Sequence, residues 1–331
     1  METEVVKGGE VCVVIPYFQR SPAPLKRALA SVFSQENFPT PFVLIVDDES
    51  PYSAAKVVET HFQAQREQIR ILFQKNSGAA KARNTGLDNL PQGTKYVAFL
   101  DSDDEWTPFH LENAVRMFDS GCDFYFAGHK RSEWKEDKFS MIGFDPANHP
   151  CVDESRGLHE YRGDLIVPVM KEHLVQTSSV VYRLERIPAI RFPVDLVLGE
   201  DEVFWVKAMR LARKTGFCRH VEVQMGRGVN ISQGGEWGSE RALQLTSQNM
   251  LYWRRITDLL PDERDLGPLK KLRIRQLRRN LAEIFLYRLR RGAGLPLRQL
   301  AACTCADPLW LFSLWNLLFD RIMRRREGEA R

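Results

Sequence analysis

The stretch Tyr96-Val-Ala-Phe-Leu-Asp-Ser-Asp-Asp-Glu-Trp106 constrains this chain more than any other. Five apolar or aromatic residues in a row predict a buried strand, and the run stops at three carboxylates, Asp101, Asp103 and Asp104. In open α/β sheets ligands lie beyond the carboxyl ends of the strands. An Asp-x-Asp at such an end offers hard oxygen ligands for Mg²⁺ or Mn²⁺ bridging a diphosphate. Aspartate and serine also build turns and cap helices for purely local reasons, so this stretch alone leaves both readings open.

The flanking chain repeats the theme. Val11–Pro16 reads as a first strand buried on both faces and ended by Pro16, and Leu25, Ala28, Leu29, Val32 and Phe33 follow the helical period. Phe42–Val46 predicts a second strand, again followed by acids, Asp47-Asp48-Glu49-Ser50. A polar helix from Ser53 to Glu67, a strand at Ile69–Phe73 and a helix from Ala79 to Leu90 precede the fourth strand. Strands alternating with helices of this length indicate parallel βαβ units with right-handed crossovers. Beyond it, Phe109–Ser120 predicts a helix and Asp123–Gly128 a strand, while 130–162 shows no regular pattern. Thr177–Arg183 alternates like a strand, and Gly199-Glu200-Asp201-Glu202 opens a helix with Phe204, Ala208 and Leu211 inward. Acids are favoured in a helix's first turn, so capping is an alternative role for Glu200 and Asp201. His220–Met225 predicts a last strand before the glycine-rich loop Gly226–Gly235.

From Ser239 the pattern is helical, which places a domain boundary between 1–238 and 239–331. The expected helices are Ser239–Leu260, Pro268–Arg291 with Leu277, Leu281, Ile284, Phe285 and Leu289 inward, and Pro308–Arg326. Residues 254–331 carry 18 Lys and Arg against 9 Asp and Glu, whereas the rest of the chain has a net charge of −5. The last helix is apolar apart from a stripe of Ser313, Asn316, Asp320 and Arg324, together with Arg321, and ends in three arginines; Leu309–Phe319 is too short to cross a bilayer. Its aromatic residues and basic setting lead us to expect peripheral contact with an inner membrane, packing against the body or a second subunit being the alternative. The acidic N-terminus and the short first apolar run do not resemble a secretory signal, so we expect a cytoplasmic protein. The six cysteines are scattered without a zinc or redox spacing and are expected to be reduced.

Three acid clusters thus stand in order, Asp47/Asp48, Asp101/Asp103 and Glu200/Asp201, with Gly-Ala-Ala-Lys-Ala-Arg-Asn-Thr-Gly at Gly78–Gly86. This set resembles the inverting family 2 glycosyltransferases, over residues 9–235. The resemblance implies an α/β GT-A fold, a Rossmann-like nucleotide-binding mixed sheet flanked by helices, here with an α-helical C-terminal extension. It implies that Pro16 and Tyr17 border the nucleotide of a UDP-sugar donor and that Asp47 or Asp48 accepts from base or ribose. Arg83 would reach the base or diphosphate, Asp101 with Ser102 the ribose or sugar side, Asp103 the Mg²⁺ or Mn²⁺, and Asp201 would be the general base. The family's usual second-strand ending is Asp-Asp-Gly-Ser; Glu49 replaces the glycine and disfavours positive φ, so a different local backbone is expected there. The segments Asp123–His129 and Thr177–Arg183 are similar to bacterial glucosyltransferases of the succinoglycan type, which implies transfer of glucose to a lipid-linked exopolysaccharide repeat.

Asp104 and Glu105 read as plain turn acids, His129 as structural or acceptor-side, and Trp106 and Trp205 as core or as a sugar-facing surface. Gly226–Gly235 is a candidate lid. A sugar-1-phosphate nucleotidyltransferase is disfavoured because the first strand leads into Pro16-Tyr17-Phe18-Gln19 and not into a glycine-rich phosphate loop. Nucleic acid is not an expected partner, since the basic C-terminus carries no recognisable nucleic-acid-binding pattern.

Overall fold

The computed structural model describes residues 8–188, 190–196, 198–227, 236–261, 266–294 and 297–329, the side chains of 257, 306 and 320–329 excepted. The chain divides into two compact units, one of residues 8–194 and 200–227, the other of 195–199 and 236–329.

The first unit is α/β. In chain order it comprises β1 (Val11–Tyr17), α1 (Ala23–Phe33), β2 (Phe42–Asp47), α2 (Ala54–His61), β3 (Ile69–Phe73), α3 (Ala79–Asp88), β4 (Tyr96–Phe99) and β5 (Glu105–Trp106). It continues with α4 (His110–Asp119), β6 (Phe124–Arg131), α5 (Lys138–Met141), β7 (Cys151–Asp153), β8 (Leu158–Glu160), α6 (Ile166–Glu172), β9 (Val181–Arg183), α7 (Glu200–Leu211) and β10 (Thr215–Met225). The sheet order is β3-β2-β1-β4-β9-β6-β10-β8-β7, with β5 against β10. The first four strands are parallel, as the alternating pattern predicts. β9 then inserts antiparallel between β4 and β6, so the sheet is mixed. The carboxyl ends of β1, β2, β4, β6 and β10 share one edge, where all the acid clusters lie.

Several elements differ from the sequence expectation for visible reasons. β1 continues through Pro16 to Tyr17. Val14 accepts from Leu100 on the β4 side, at 3.1 Å, and two residues on Pro16 faces the same way past the end of β4, so its missing N–H costs no ladder bond. The helix after β2 stops at His61 and a 3₁₀ segment, Gln63–Gln68, leads into β3. Thr177–Ser179 is a 3₁₀ turn, and only Val181–Arg183 is strand. The last strand starts earlier than expected, at Thr215, and the unpatterned stretch 130–162 contains α5 and the β7–β8 hairpin, which extends the sheet through β10. Leu211 is exposed at the end of α7.

An aromatic cluster fixes the site from beneath. Phe99, the last residue of β4, meets Phe192 edge-on at 5.4 Å, Phe204 at 5.8 Å and Trp205 at 5.6 Å, and Phe192 stacks on Phe204 at 4.0 Å. Trp205 and Trp106 are therefore core residues. Truncating Phe99 would cost about 3–5 kcal/mol by the usual price of a large buried cavity, and would free α7 from the strand that ends in Asp101. On the same face of the sheet α3 lies flush on β1: a Cβ on Gly86 would stand 2.5 Å from Cγ1 of Val14, the register partner of Phe99.

The second unit is helical, with α8 (Glu240–Leu259), α9 (Leu266–Arg290), α10 (Leu297–Ala306) and α11 (Trp310–Glu329). The sequence reading has no counterpart for α10, whose ten residues are short of polar periodicity. The unit's core is Leu243, Met250, Leu281, Ala282, Ile284, Leu300, Cys303 and Trp310. Leu289, expected inward on α9, is exposed near the helix end. Among the described residues no helix is long and apolar enough to cross a membrane.

Candidate active site

Each acid cluster is placed by a strand end or a helix start, but the three are used differently. Asp47 closes β2: its Oδ1 accepts from Ser50 N at 2.8 Å and its Oδ2 from Ala54 N at 3.0 Å, so it shapes the turn and anchors the start of α2. Asp48 organises the loop before α3, accepting from Gln74 Nε2 (2.7 Å), Ser77 N (2.9 Å) and Gly78 N (2.8 Å). Between them and Ser50, Glu49 takes φ +59°, so the backbone keeps the left-handed turn that a glycine would supply, contrary to the expectation of a different local path. Its carboxylate accepts from Asn76 N at 3.2 Å, tying the turn to the loop that Asp48 holds.

That loop delivers α3 and with it Arg83. The guanidinium is buried, donates to Asp101 Oδ1 at 2.7 Å and to Glu200 Oε1 at 3.4 Å, and lies over the Phe192 ring at 5.3 Å. Asn84 exchanges two hydrogen bonds with the Phe192 backbone, both 2.8 Å, fixing the ring under Arg83. Burial opposes the charge on Arg83, but Asp101 and Glu200 outweigh it and the group stays a cation.

The loop after β4 is braced from three sides. Ser102 is buried and accepts from Gln19 Nε2 at 3.1 Å, while the Gln19 backbone exchanges hydrogen bonds with the Ser50 hydroxyl; this joins the ends of β1, β2 and β4 next to Pro16 and Tyr17. Asp103 is half-buried, and Gly226, just past β10, packs so closely that a Cβ there would stand 2.1 Å from the Asp103 carbonyl oxygen and 2.7 Å from Oδ2. Asp104, read from sequence as a turn acid, is buried and accepts from Ser178 Oγ (2.6 Å), Gln176 Nε2 (2.8 Å) and Gly226 N (2.7 Å). Burial, with Asp101 and Asp103 nearby, pushes its carboxyl up to about 8. Ser178 Oγ also accepts from Asp101 N at 2.9 Å, and its carbonyl takes the Trp106 indole at 2.6 Å.

The same 3₁₀ turn reaches the third cluster, where Thr177 Oγ1 donates to Asp201 Oδ2 at 3.4 Å. Glu200 and Asp201 open α7, where the helix dipole favours acids. Burial and the neighbouring Asp201 push Glu200 up to about 8 against the pull of Arg83. Burial, then Glu202, likewise raises Asp201 above the ordinary carboxylate range. Carboxylates of shifted affinity around one buried cation are the ingredients of proton transfer beside an anionic leaving group.

The structure thus joins Asp101, Arg83 and the Glu200/Asp201 pair, and sets Asp103 beside Gly226. The sequence places Glu200 in the third acid cluster without a role of its own, and it marks none of Gln19, Asn84, Asp104, Gln176, Ser178 and Phe192 as a site residue. His129, at the end of β6, is buried and driven down to about 4, by burial first and Lys138 second, so it is neutral at neutral pH. Of the candidate lid Gly226–Gly235, residues 228–235 lie outside the described residues.

Comparison with known proteins bears on the family and the fold. Residues 12–164 match the model of glycosyl transferase family 2. The chain is 35% identical over 235 residues, 67% of its length, to the succinoglycan biosynthesis protein ExoW of Rhizobium meliloti (strain 1021), spanning 70% of that protein. Among solved structures it is similar to S. aureus TarS in complex with UDP-GlcNAc, at 19% identity and a TM-score of 0.56 over 92% of this chain and 81% of that one. It is also similar to the mannosyltransferase PcManGT of Pyrobaculum calidifontis in complex with GDP-Man and Mn²⁺, at 14% identity and a TM-score of 0.52 over 92% and 83%. These likenesses show a shared GT-A fold, and with the match to the relative from R. meliloti they establish that the chain belongs to the family 2 glycosyltransferases.

Proposed function

We propose that the protein transfers glucose from a UDP-sugar to a hydroxyl of a lipid-linked exopolysaccharide repeat unit, with inversion at the anomeric carbon. The observation that carries this reading is the buried Arg83, bridged to Asp101 at the end of β4 and to Glu200 at the start of α7, with Asp201 beside it. The relative's role in succinoglycan biosynthesis and the UDP-GlcNAc and Mn²⁺ in similar structures support it.

Pro16, Tyr17, Asp47, Asp48 and Ser102 border the nucleotide, each carboxylate keeping lone pairs beyond its backbone bonds. Arg83 and Asp101 bind and orient the diphosphate and the sugar. The hard carboxylate oxygens after β4 and the cradle at Gly226, which a Cβ would fill, fit Mg²⁺ or Mn²⁺ at Asp103. Such a cation supplies positive charge for the departing UDP. Asp201 takes the proton from the acceptor hydroxyl, and its raised affinity for protons suits a general base working near neutral pH. Hydrolysis of a panel of UDP-sugars with Mn²⁺ tests the donor: UDP-glucose should turn over fastest. Failure of every UDP-sugar, or a product of retained configuration by proton NMR, overturns the reading.

The acceptor's lipid carrier implies work at a membrane surface. On α11, Trp310, Leu314 and Leu317 face the helical core, while Phe312, Trp315 and Phe319 stand 68%, 69% and 53% exposed beside Leu311 and Leu318. A second copy would bring two strongly basic regions together, whereas an anionic bilayer complements them, each Lys or Arg near it adding about 1 kcal/mol. Full-length protein should float with anionic vesicles, and Phe312→Glu with Trp315→Glu should abolish this without altering donor hydrolysis. Indifference to anionic vesicles at low salt, or loss of a dimer in the double variant, refutes membrane docking.

A further inference from the structure

At the free edge of the sheet, away from the acid clusters, the β7–β8 hairpin assembles Cys151, Glu154 and His159, whose ligand atoms all lie within 4.8 Å of one another. Cys151 and His159 are direct cross-strand partners, so their side chains share a face, and Glu154 stands on the turn between them. The thiol donates to Glu154 Oε2 at 3.3 Å. His159 is buried and stacks on Phe217 at 5.3 Å. Its Nδ1 lies 3.3 Å from the His149 carbonyl oxygen, which can only accept, so in the neutral ring the proton sits on Nδ1 and Nε2 carries a bare lone pair. That Nε2 is buried and has no hydrogen-bond partner, a state that ordinarily costs about 1–3 kcal/mol.

We propose that this hairpin is a binding site for a borderline transition-metal dication, Zn²⁺, which goes beyond the transferase reading. A histidine that donates one ring nitrogen to a backbone carbonyl while the other stays open is the usual arrangement of a metal-bound imidazole. The sulfur, imidazole and carboxylate set is one that Zn²⁺ takes at about 2.0–2.3 Å, which the hairpin reaches by closing its ligand atoms by about an ångström. The metal replaces the thiol proton: the S–H bond breaks, the proton leaves to solvent, and a sulfur–zinc bond forms. Glu154 Oε2 and the His159 lone pair complete three positions and water fills the fourth. The backbone of the hairpin is already braced, which leaves the closing movement to the side chains. Asp153 Oδ1 accepts from Ser155 Oγ (2.6 Å) and Arg156 N (3.3 Å) within the turn, and β8 is held by β10. Arg219 pairs with the other oxygen of Glu154 at 2.9 Å, leaving Oε2 to the site but drawing on its charge. It sets the affinity below what three free ligands would give.

The test titrates chelator-treated full-length protein with Co²⁺ and then Zn²⁺ in excess Mg²⁺, which occupies oxygen-only sites. One equivalent of Co²⁺ should produce a thiolate-to-cobalt charge-transfer band, displaced by Zn²⁺. Cys151→Ser should lose the band, His159→Gln should weaken binding about tenfold or more, and Arg219→Gln should tighten it. Zn²⁺ should raise the thermal midpoint of wild type and not of Cys151→Ser. Absence of the band in wild type, or its persistence in Cys151→Ser, overturns the site. Cys151→Ser should hydrolyse donor at the wild-type rate with Mn²⁺, so loss of metal binding is read independently of transfer.

Discussion

The loops that follow β2 and β4 look alike in sequence, an apolar strand running into two or three acids, yet they do opposite work. After β2, Asp47 and Asp48 together accept from four backbone N–H groups and the Gln74 amide, and their charge is consumed in holding the turn and the approach to α3. After β4 the holding is delegated. Asp104 braces the turn, and Asp101 meets the cation Arg83. A strand end can thus spend its acids on its own backbone or employ a neighbouring acid to do so. Only the second arrangement gathers charge around a buried cation.

The widest gap between the two loops should be seen at Asp103. Asp103→Ala should lower divalent-dependent transfer by about 10³-fold, on the order of 4 kcal/mol of transition-state stabilisation, with an unchanged denaturation midpoint. Near wild-type turnover at saturating donor and Mn²⁺ would remove the distinction altogether. Asp201→Asn comes next, lowering kcat by about 10²-fold or more with little change in donor affinity. On the proposed role a base must be ionised, and the affinity of Asp201 for protons is raised in the fold, so kcat/KM should fall as pH drops through a point above the ordinary carboxylate range. This acid limb should vanish in Asp201→Asn. A lost affinity for the UDP-sugar in that variant would instead place Asp201 on the donor side.

Much of this was legible in the chain. β1 to β4 and α3 announce themselves by apolar runs and by helical spacing, and the order of the acid clusters points to the family. What escaped were residues whose role is set by partners far along the chain. Asp104 differs from Asp103 only by one position, and no local rule marks it as the one that meets Gln176, Ser178 and Gly226. Thr177–Arg183 alternates like a strand, but Thr177 and Ser178 are recruited by Asp201 and Asp104 and the Ser179 hydroxyl donates back to the Gln176 carbonyl, which favours a turn over 177–179. The β7–β8 hairpin was hidden because its strands are three residues each, below the length at which alternation can be recognised.

A smaller effect separates the loops by stability. Asp48→Ala leaves two backbone N–H groups and the Gln74 amide without their acceptor, in a loop that water partly reaches. The expected loss is about 2 kcal/mol, read as a shift in the urea midpoint at constant slope. The fall in kcat should be smaller than for Asp201→Asn. A variant as stable as wild type but with donor affinity reduced would mean that Asp48 serves the nucleotide more than the loop.

The finest test lies at Glu49, where a side chain occupies a glycine's conformation at φ +59°. The left-handed region costs a non-glycine residue roughly 1–2 kcal/mol, so Glu49→Gly relieves that strain. The glycine in turn raises the entropy of the unfolded chain, which opposes folding by about 0.5–1 kcal/mol. The bond from Asn76 N, long at 3.2 Å and exposed, adds little to the loss. The balance is a gain of up to about 1 kcal/mol, with donor turnover unchanged because the backbone already follows the glycine path. A loss of more than about 1 kcal/mol would show that the Glu49 carboxylate, and not only Asp48, holds the loop before α3, since relief of backbone strain alone cannot destabilise the fold.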